Sequence, residues 1–292
     1  MARRKRAHQE RARSRRKEAM SMAAKHFENK TALITGGSRG IGLAVARELS
    51  RRGARCAIAA RGAERLERAR ASLASDGFDV LTIQADVADA ASCADMVSRA
   101  VAEFGRLDIL VNNAGVSMRA NLEDLDAEAC RSMVDINLMG CIYPTLSALD
   151  QLKNNKGSVV FTSSIAGLIG LPTATIYCAT KHALRGFADA LRCEIGPDGA
   201  HVGVVYVGFT ENDPEKKVVS ADGGAVPPGP AHMTQEQVAR EFAELIRHRR
   251  SRAVLSPIGK LAELAGRLSP DIVGEAIVFS RKTKLNERLG IS

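Results

Sequence analysis

The chain has 292 residues, and 45% of them are hydrophobic, which is ordinary for a globular protein of one large domain or two small ones. The formal net charge is +9, but residues 1–24 supply +7 of it through nine Lys or Arg and two Glu, so the remainder is nearly neutral. No apolar run approaches the roughly 18 residues that a membrane span needs, and no apolar stretch of the secretory-signal kind follows the basic segment.

The basic N-terminal segment has two interpretations. It could attach electrostatically to nucleic acid or to an acidic membrane. Alternatively, it is a disordered extension upstream of a start at Met20 or Met22. In either case the segment lacks the apolar surface needed to offset its ordering entropy. We therefore predict a basic, disordered tail over residues 1–27, with residues 1–24 dispensable for folding and catalysis.

From residue 30 onward, short apolar runs alternate with amphipathic stretches. The apolar runs predict strands at 31–35, 54–60, 79–85, 107–115 with its exit loop, 157–164, 201–208 and 252–257. The amphipathic stretches predict helices at 40–53, 63–77, 89–104, 123–152, 175–195 and 234–250. Strands without polar alternation, each followed by a helix, indicate a parallel sheet covered on both faces. The predicted fold is α/β: a single doubly wound Rossmann domain with a seven-stranded parallel sheet over residues 28–257.

Two segments interrupt this alternation. Residues 209–233 are polar and rich in Pro and Gly, and a connection of this length is typical of a lid or a disordered loop. Residues 258–292 are predicted to form a helical extension of two short helices and a basic tail. The six cysteines are scattered without a CxxC or a histidine at metal-ligand spacing. This pattern indicates reduced thiols, a cytoplasmic location and no metal site.

A glycine-rich turn, TGGSRGIG at 35–42, stands where the first predicted strand meets the first predicted helix. Glycines in this position allow a tight turn, and they let the backbone approach a pyrophosphate that the helix N-terminus favours. A helix-starting turn with incidental glycines is the alternative. The order strand, turn, helix favours dinucleotide binding.

The charges beside this turn bear on the choice of dinucleotide. Sites for NAD place an Asp or Glu at the end of the second strand, but this chain has Ala60 there, followed by Arg61, with Arg39 inside the turn. Two guanidinium groups without a carboxylate suit a 2′-phosphate, because the guanidinium fork matches phosphate oxygens. We therefore predict NADP(H) as the cofactor, the alternative being two solvated arginines.

Tyr177 precedes Lys181 by four residues in the predicted helix 175–195, so the two side chains share one helix face. A phenol has an ordinary pKa near 10 and is a poor acid or base at neutral pH. A neighbouring ammonium lowers such a pKa by stabilising the phenolate. Taken alone, a Tyr–Lys pair is more often a surface contact.

The complete set of motifs resembles the short-chain dehydrogenase/reductase family over about residues 28–257. The motifs stand in the family's order: TGGSRGIG, Asp86 in ADV, the NNAG of residues 112–115, Asn137, Ser164, Tyr177 and Lys181. Ser164 lies thirteen residues before Tyr177, a spacing typical of the family. The stretch 157–195 is similar to the branch that includes hydroxysteroid dehydrogenases and ketosphinganine reductases.

The resemblance implies an enzyme that interconverts ketones and secondary alcohols. In that mechanism Tyr177 acts as general acid in reduction and general base in oxidation. Ser164 polarises the carbonyl, Lys181 lowers the pKa of Tyr177 and holds the nicotinamide ribose, and Asn137 positions a water that relays protons to Lys181. The hydride comes from the cofactor.

The resemblance also implies a set of cofactor contacts. Asp86 would bind the adenine amine and Val87 its ring, while Asn113 and Gly115 would line the cofactor groove. The full expected set is Gly36, Ser38, Arg39, Gly40, Ile41, Gly42, Arg61, Asp86, Val87, Asn113, Ala114, Gly115, Tyr177, Lys181, Gly208 and Thr210. One departure from the family is Val207-Gly208 where Pro-Gly is common, which puts the local backbone geometry in question.

The substrate is less well defined by the sequence. The segment between Ser164 and Tyr177 offers Ile165, Leu168, Ile169 and Leu171 without a charge, as a wall for a lipophilic ketone or as ordinary core packing. The expected partners are a small carbonyl or alcohol substrate and further copies of the chain in a dimer or tetramer. A different class remains open: a non-catalytic protein that senses NADP or binds nucleic acid on the same scaffold through its basic tail.

Overall fold

The computed structural model describes residues 26–210, 218–220, 233–268, 274–275 and 278–279. The predicted tail 1–24 and most of the predicted lid 209–233 lie outside the described residues. Phe27, the last residue of the predicted tail, is buried and its amide donates to the Arg52 carbonyl at 2.9 Å. The packed domain therefore begins before residue 28.

A central sheet carries the fold, and its strands are buried along most of their length. The strands are β1 (Thr31–Thr35), β2 (Arg55–Ala60), β3 (Val80–Gln84), β4 (Ile109–Asn112), β6 (Ser158–Ser164), β7 (His201–Val207) and β9 (Arg252–Val254). Their order across the sheet is β3-β2-β1-β4-β6-β7-β9, and every pairing is parallel. The predicted seven-stranded doubly wound sheet is confirmed.

Helices cover both faces of this sheet because each parallel crossover must pass over it. They are α1 (Gly40–Arg51), α2 (Ala63–Ser75), α3 (Ala90–Phe104), α4 (Ala127–Val134), α5 (Gly140–Asn154), α6 (Thr175–Ile195), α7 (Gln235–Arg247) and α8 (Pro257–Leu268). Two apolar clusters result, one on each face. Phe161 and Leu110 lie in one, and Phe242 and Leu49 in the other.

The stretch predicted to be helical over about 123–152 is divided into several helical segments. The structure has a 3₁₀ turn at Leu122–Asp124, then α4, then a π-helical segment at Asp135–Met139, then α5. Asp126 starts α4 because its side chain accepts the Ala129 amide at 2.6 Å, which is an N-cap.

Two short strands were not predicted. Strands β5 (Ser117–Arg119) and β8 (Val218–Ser220) pair in parallel, with Met118 opposite Val219. The second of these strands lies in the segment interpreted as a lid or disordered loop, so part of that segment is attached to the chain that follows β4. Among the described residues, no helix is long and apolar enough to cross a membrane.

The strand order has a functional consequence. The chain runs outward from β1 to β3 and then returns to β4 on the other side of β1. The carboxyl ends of β1 and β4 therefore border a crevice at the switch point, which is where doubly wound sheets bind ligands.

Candidate active site

The glycine-rich turn and the NNAG segment face each other across this crevice. The β1 residue Thr35 joins them, because its Oγ1 accepts the amides of Asn113 and Ala114 at 3.0 and 3.1 Å. The Asn113 side chain completes the link by donating to the carbonyls of Thr35 and Gly36 at 3.1 and 3.3 Å. Asn113 thus holds the shape of the turn, in addition to the groove-lining position expected for it.

Gly36 shows why the turn needs glycine. Its φ is +64°, and a Cβ on it would lie 2.9 Å from the Cα of Ala114. A side chain there would push the two walls of the crevice apart. The other predicted turn residues all lie between β1 and the first turn of α1: Ser38, Arg39, Gly40, Ile41 and Gly42. The first turn of α1 contains no acidic residue, which keeps this helix N-terminus favourable for a phosphate.

Charged side chains border the carboxyl end of the second strand, and one of them is the carboxylate of Asp86. Arg39 is the N-cap residue of α1, and Ala60 ends β2. Arg61 follows, with its side chain 57% exposed and its Nη1 3.8 Å from the Asp86 carboxylate. Asp86 lies just beyond β3, and its Oδ1 accepts the Ala88 amide at 3.0 Å. Val87 is buried, and a Cβ on Gly140 would lie 2.7 Å from its Cγ2.

Ser164 and Tyr177 come together at the carboxyl end of β6. Ser164 is the last residue of that strand, Tyr177 lies in the first turn of α6, and the Ser164 side chain is close enough to lower the pKa of the phenol. The segment between them folds back because the Leu168 amide donates to the Ile165 carbonyl at 2.9 Å and the Leu171 amide donates to Cys178 Sγ at 3.3 Å.

Burial raises the pKa of Tyr177 above its ordinary value of 10.0, and the Ser164 side chain opposes this only in part. The sequence analysis expected the opposite direction, with Lys181 lowering this pKa. The ammonium of Lys181 instead donates to the Thr162 carbonyl at 2.9 Å and lies 5.7 Å from the centre of the Tyr177 ring. Desolvation of the phenolate therefore sets the direction of the shift, and the phenol of Tyr177 is neutral at physiological pH.

Lys181 and Asn137 close around Gly115. A Cβ on Gly115 would lie 3.0 Å from Asn137 Oδ1 and 3.8 Å from Lys181 Nζ, so only glycine leaves this contact unstrained. Lys181 is 5% exposed and Asn137 is fully buried. The side-chain amide of Asn137 makes two hydrogen bonds with the backbone of Val116. The Val116 N–H donates to Oδ1 at 2.8 Å, and Nδ2 donates to the Val116 carbonyl at 3.0 Å. Asn137 therefore fixes the loop after β4.

The remaining predicted residues lie at the edge of this site. Val207 extends β7 to a position paired with Ser164, and the following Gly208 packs tightly on Ser256. Thr210 forms an isolated parallel bridge with Met233. Of the four predicted wall residues, Ile165 is buried, whereas Leu168, Ile169 and Leu171 are half-buried.

Sequence reasoning missed the contributions of two threonines. Thr35 connects the turn to NNAG, and its place at the end of a strand before two glycines is a weak signal. Thr162 supplies the carbonyl that receives Lys181, and its Oγ1 donates to Asn113 Oδ1 at 3.3 Å. The backbone carbonyl of Thr162 has no sequence signal, because any residue could supply it.

A glycine-rich turn at the switch point, with Ser, Tyr and Lys beside it, defines the class of Rossmann-fold oxidoreductases that bind a nucleotide. The comparison with family models agrees: the model for short chain dehydrogenases matches residues 30–223. The chain belongs to the short-chain dehydrogenase family.

Two curated relatives place the similarity within the hydroxysteroid dehydrogenase and ketosphinganine reductase branch. An 11-beta-hydroxysteroid dehydrogenase-like 2 from Arabidopsis thaliana is 39% identical over 193 residues, which cover 64% of this chain and 62% of that protein. A 3-dehydrosphinganine reductase from Danio rerio is 34% identical over 224 residues, covering 71% of this chain and 65% of that protein. The matches thus span less than two thirds of the relatives' length.

Among solved structures, a short chain dehydrogenase from Burkholderia cenocepacia J2315 in complex with NADP superposes with a TM-score of 0.68. It is 32% identical, and the match covers 78% of this chain and 96% of that one.

The direction of the Tyr177 pKa predicts the pH dependence of any carbonyl reduction in which Tyr177 is the general acid. A raised pKa keeps the phenol protonated through neutral pH, so the reduction rate should stay level and fall only as the pH passes the phenol pKa. Alcohol oxidation, which needs the deprotonated form, should rise with pH over the same range. The measurement is kcat for both directions from pH 6 to about 11, with circular dichroism at each pH to exclude unfolding. A fall in reduction centred near neutrality would contradict this prediction.

Proposed function

We propose that this protein is an NADP(H)-dependent oxidoreductase that interconverts a ketone and a secondary alcohol, and that it reduces a lipophilic carbonyl compound. One observation carries the proposal: the Ser164 side chain lies beside the Tyr177 phenol and influences its pKa, with the buried Lys181 one helical turn further. A protein that only senses a nucleotide needs no such arrangement of a neutral acid, a hydroxyl and a buried cation.

The crevice fits a dinucleotide. Gly36 holds the turn close to Ala114, the α1 N-terminus carries no acidic side chain in its first turn, and Arg39 and Arg61 lie beside it. These residues would hold the phosphates, with Asp86, Val87, Ala114 and Gly115 along the remaining groove. The nicotinamide, when bound, supplies or accepts the hydride.

The chain's own side chains handle the proton. Tyr177 donates its phenolic proton to the carbonyl oxygen as the alcohol forms, and in oxidation it takes the proton back. Ser164 hydrogen-bonds the same oxygen, which polarises the carbonyl. Lys181 anchors α6 to β6 through Thr162 and offers its ammonium to the ribose hydroxyls. Asn137 holds the Val116 backbone so that Gly115 stays close to Lys181.

The choice of NADP(H) over NAD(H) follows from charge. Ala60 at the end of the second strand and Arg61 after it are not acidic, and the Arg61 side chain is exposed enough to meet a 2′-phosphate. Changing Arg39 and Arg61 to Gln should weaken NADPH binding by at least about tenfold and leave NADH within about twofold, because only NADPH carries the phosphate that both guanidiniums meet. Adding Ala60→Asp should turn the preference toward NADH by supplying a ribose acceptor.

Calorimetric titration of both nucleotides into each variant measures this preference. Arg65→Gln, an exposed arginine in the helix that follows, is the matched control for loss of positive charge. Equal affinity for NADH and NADPH in the unaltered protein would show that the charge argument is wrong.

A lipophilic substrate is supported by the uncharged segment Ile165–Leu171 and by the activities for which the two curated relatives are named. The test is NADPH oxidation over a panel containing a keto-steroid, a long-chain 3-keto base and a short hydrophilic ketone. We expect kcat/KM for at least one of the first two to exceed that for the third by about tenfold or more, since each buried methylene adds roughly 0.8 kcal/mol. Turnover of none of the three by a protein that binds NADPH would leave the proposed reaction unsupported and favour a binding role.

A further inference from the structure

A second polar cavity lies away from the crevice, between α6 and the free edge of the sheet. It has a volume of about 370 Å³ and is lined by Arg185, Asp189, Arg192, Tyr206, Ser251 and Arg252. The arginines at 185 and 192 come from α6, Tyr206 from β7, and Arg252 from the edge strand β9. None of these residues belongs to the glycine-rich turn or to the group around Tyr177.

The charges in this cavity are not balanced. Three arginines line it against one aspartate. The donors of Arg192 already bind other parts of the protein. They donate to Asp189 at 2.7 Å, to the Val202 carbonyl at 3.2 Å and to the Ser251 carbonyl at 3.4 Å. Arg252 pairs through one Nη with Glu263 of α8 at 2.9 Å, and its side chain is 44% exposed.

Arg185 is less engaged than either neighbour. Among the described residues its one ion pair is with Asp189, at 3.9 Å, which is too long for a hydrogen bond. Its side chain is 43% exposed. The guanidiniums of Arg185 and Arg252 can therefore both receive an anion, and their planar donor forks match carboxylate or phosphate oxygens.

Tyr206 supplies an independent observation. The residue is 3% exposed and lines the cavity. Its hydroxyl is not among the sealed, unpaired polar atoms of the described residues, so it faces the accessible space of the cavity, where it can donate to a ligand. The phenol lies within the electrostatic influence of Arg185, Asp189, Arg252 and Glu263, and burial raises its pKa, so it remains a donor.

We propose that this cavity is a second ligand site, separate from the dinucleotide crevice, that binds a small organic anion through Arg185, Arg252 and the hydroxyl of Tyr206. The ligand class is a carboxylate or a phosphate ester with a short carbon skeleton. The cavity falls within the range of small-molecule sites, and inorganic phosphate alone would fill only part of it. The proposal does not depend on the activity proposed above.

The test is calorimetric titration of the full chain with glycerol 3-phosphate, succinate and inorganic phosphate, each at an ionic strength matched with sodium chloride. Tyr206→Phe removes only the hydroxyl, and Arg185→Gln removes one charge at a half-exposed position. Arg61→Gln is the control, since the dinucleotide crevice also attracts phosphates. We expect glycerol 3-phosphate or succinate to bind, each cavity variant to weaken that binding by about tenfold, and Arg61→Gln to leave it unchanged.

The two organic probes distinguish a phosphate ester from a carboxylate. Binding that is lost in Arg61→Gln but kept in Tyr206→Phe would overturn the proposal, because the anion would then occupy the dinucleotide crevice. Absence of binding by all three probes would overturn it as well. So would conversion of an oligomer to a monomer by Arg185→Glu, since the cavity would then be a contact between subunits.

Discussion

The Tyr177→Phe variant is expected to lose carbonyl reduction by roughly 10²–10⁴-fold, which is the usual contribution of a positioned general acid. The phenylalanine ring keeps the packing of Tyr177 but has no proton to give. NADPH affinity should stay within about threefold, because the hydroxyl acts on the substrate oxygen. Steady-state rates and a separate NADPH titration measure the two effects.

The chain has three tyrosines, so a matched control is available. Tyr143→Phe removes a hydroxyl from half-buried Tyr143 on α5, outside the proposed catalytic group, and should leave the rate unchanged. If Tyr177→Phe kept more than about a tenth of the wild-type rate, Tyr177 could not be the general acid.

Lys181→Met should lower both nucleotide affinity and turnover. The ammonium is 95% buried and donates to the Thr162 carbonyl, so methionine leaves that carbonyl without its partner and removes the cation beside Tyr177. We expect the NADPH dissociation constant to rise about tenfold and kcat to fall about 10²-fold, since charged hydrogen bonds are roughly twice as strong as neutral ones. Direct titration and single-turnover rates separate binding from chemistry.

If Lys181 only supported the fold, the Lys181→Met variant would give a different result. Lys153→Met, which removes a half-exposed lysine of α5 that pairs with Asp198, controls for the loss of a charge. Thermal melting reports whether Lys181→Met still folds. A variant with a lower melting temperature but unchanged affinity and kcat would show that Lys181 only supports the fold.

Most of the sheet could be predicted because each strand is a short apolar run between turn residues. Helix α6 was predicted with its observed ends, since its apolar positions recur at helical spacing from Thr175 to Ile195. The break between α4 and α5 was missed. Asp126 is a recognisable N-cap in retrospect, but the π-helical segment depends on the contacts of Asn137 with Val116, which lies 21 residues away.

The features of the candidate site also differ in whether the sequence predicts them. Ser164, Tyr177 and Lys181 were expected from the resemblance of the whole motif set to the short-chain dehydrogenases, and their catalytic roles stay predictions. The pairing of β5 with β8 could not be predicted, since two three-residue strands separated by about a hundred positions leave no periodic signal. The direction of the Tyr177 pKa also could not, because it depends on the competition between burial and a cation whose distance the sequence does not give.

The bond from Asn113 to Thr35 connects residues 78 positions apart. The crevice therefore does not exist until β4 has docked on β1, which requires closing a long loop and is slow compared with local helix formation. During synthesis, a nascent chain has no complete nucleotide site until Ala114 has left the ribosome. During refolding, binding of a fluorescent nucleotide should consequently recover later than the helical circular dichroism signal. The length of this delay measures how long the two halves of the sheet take to dock.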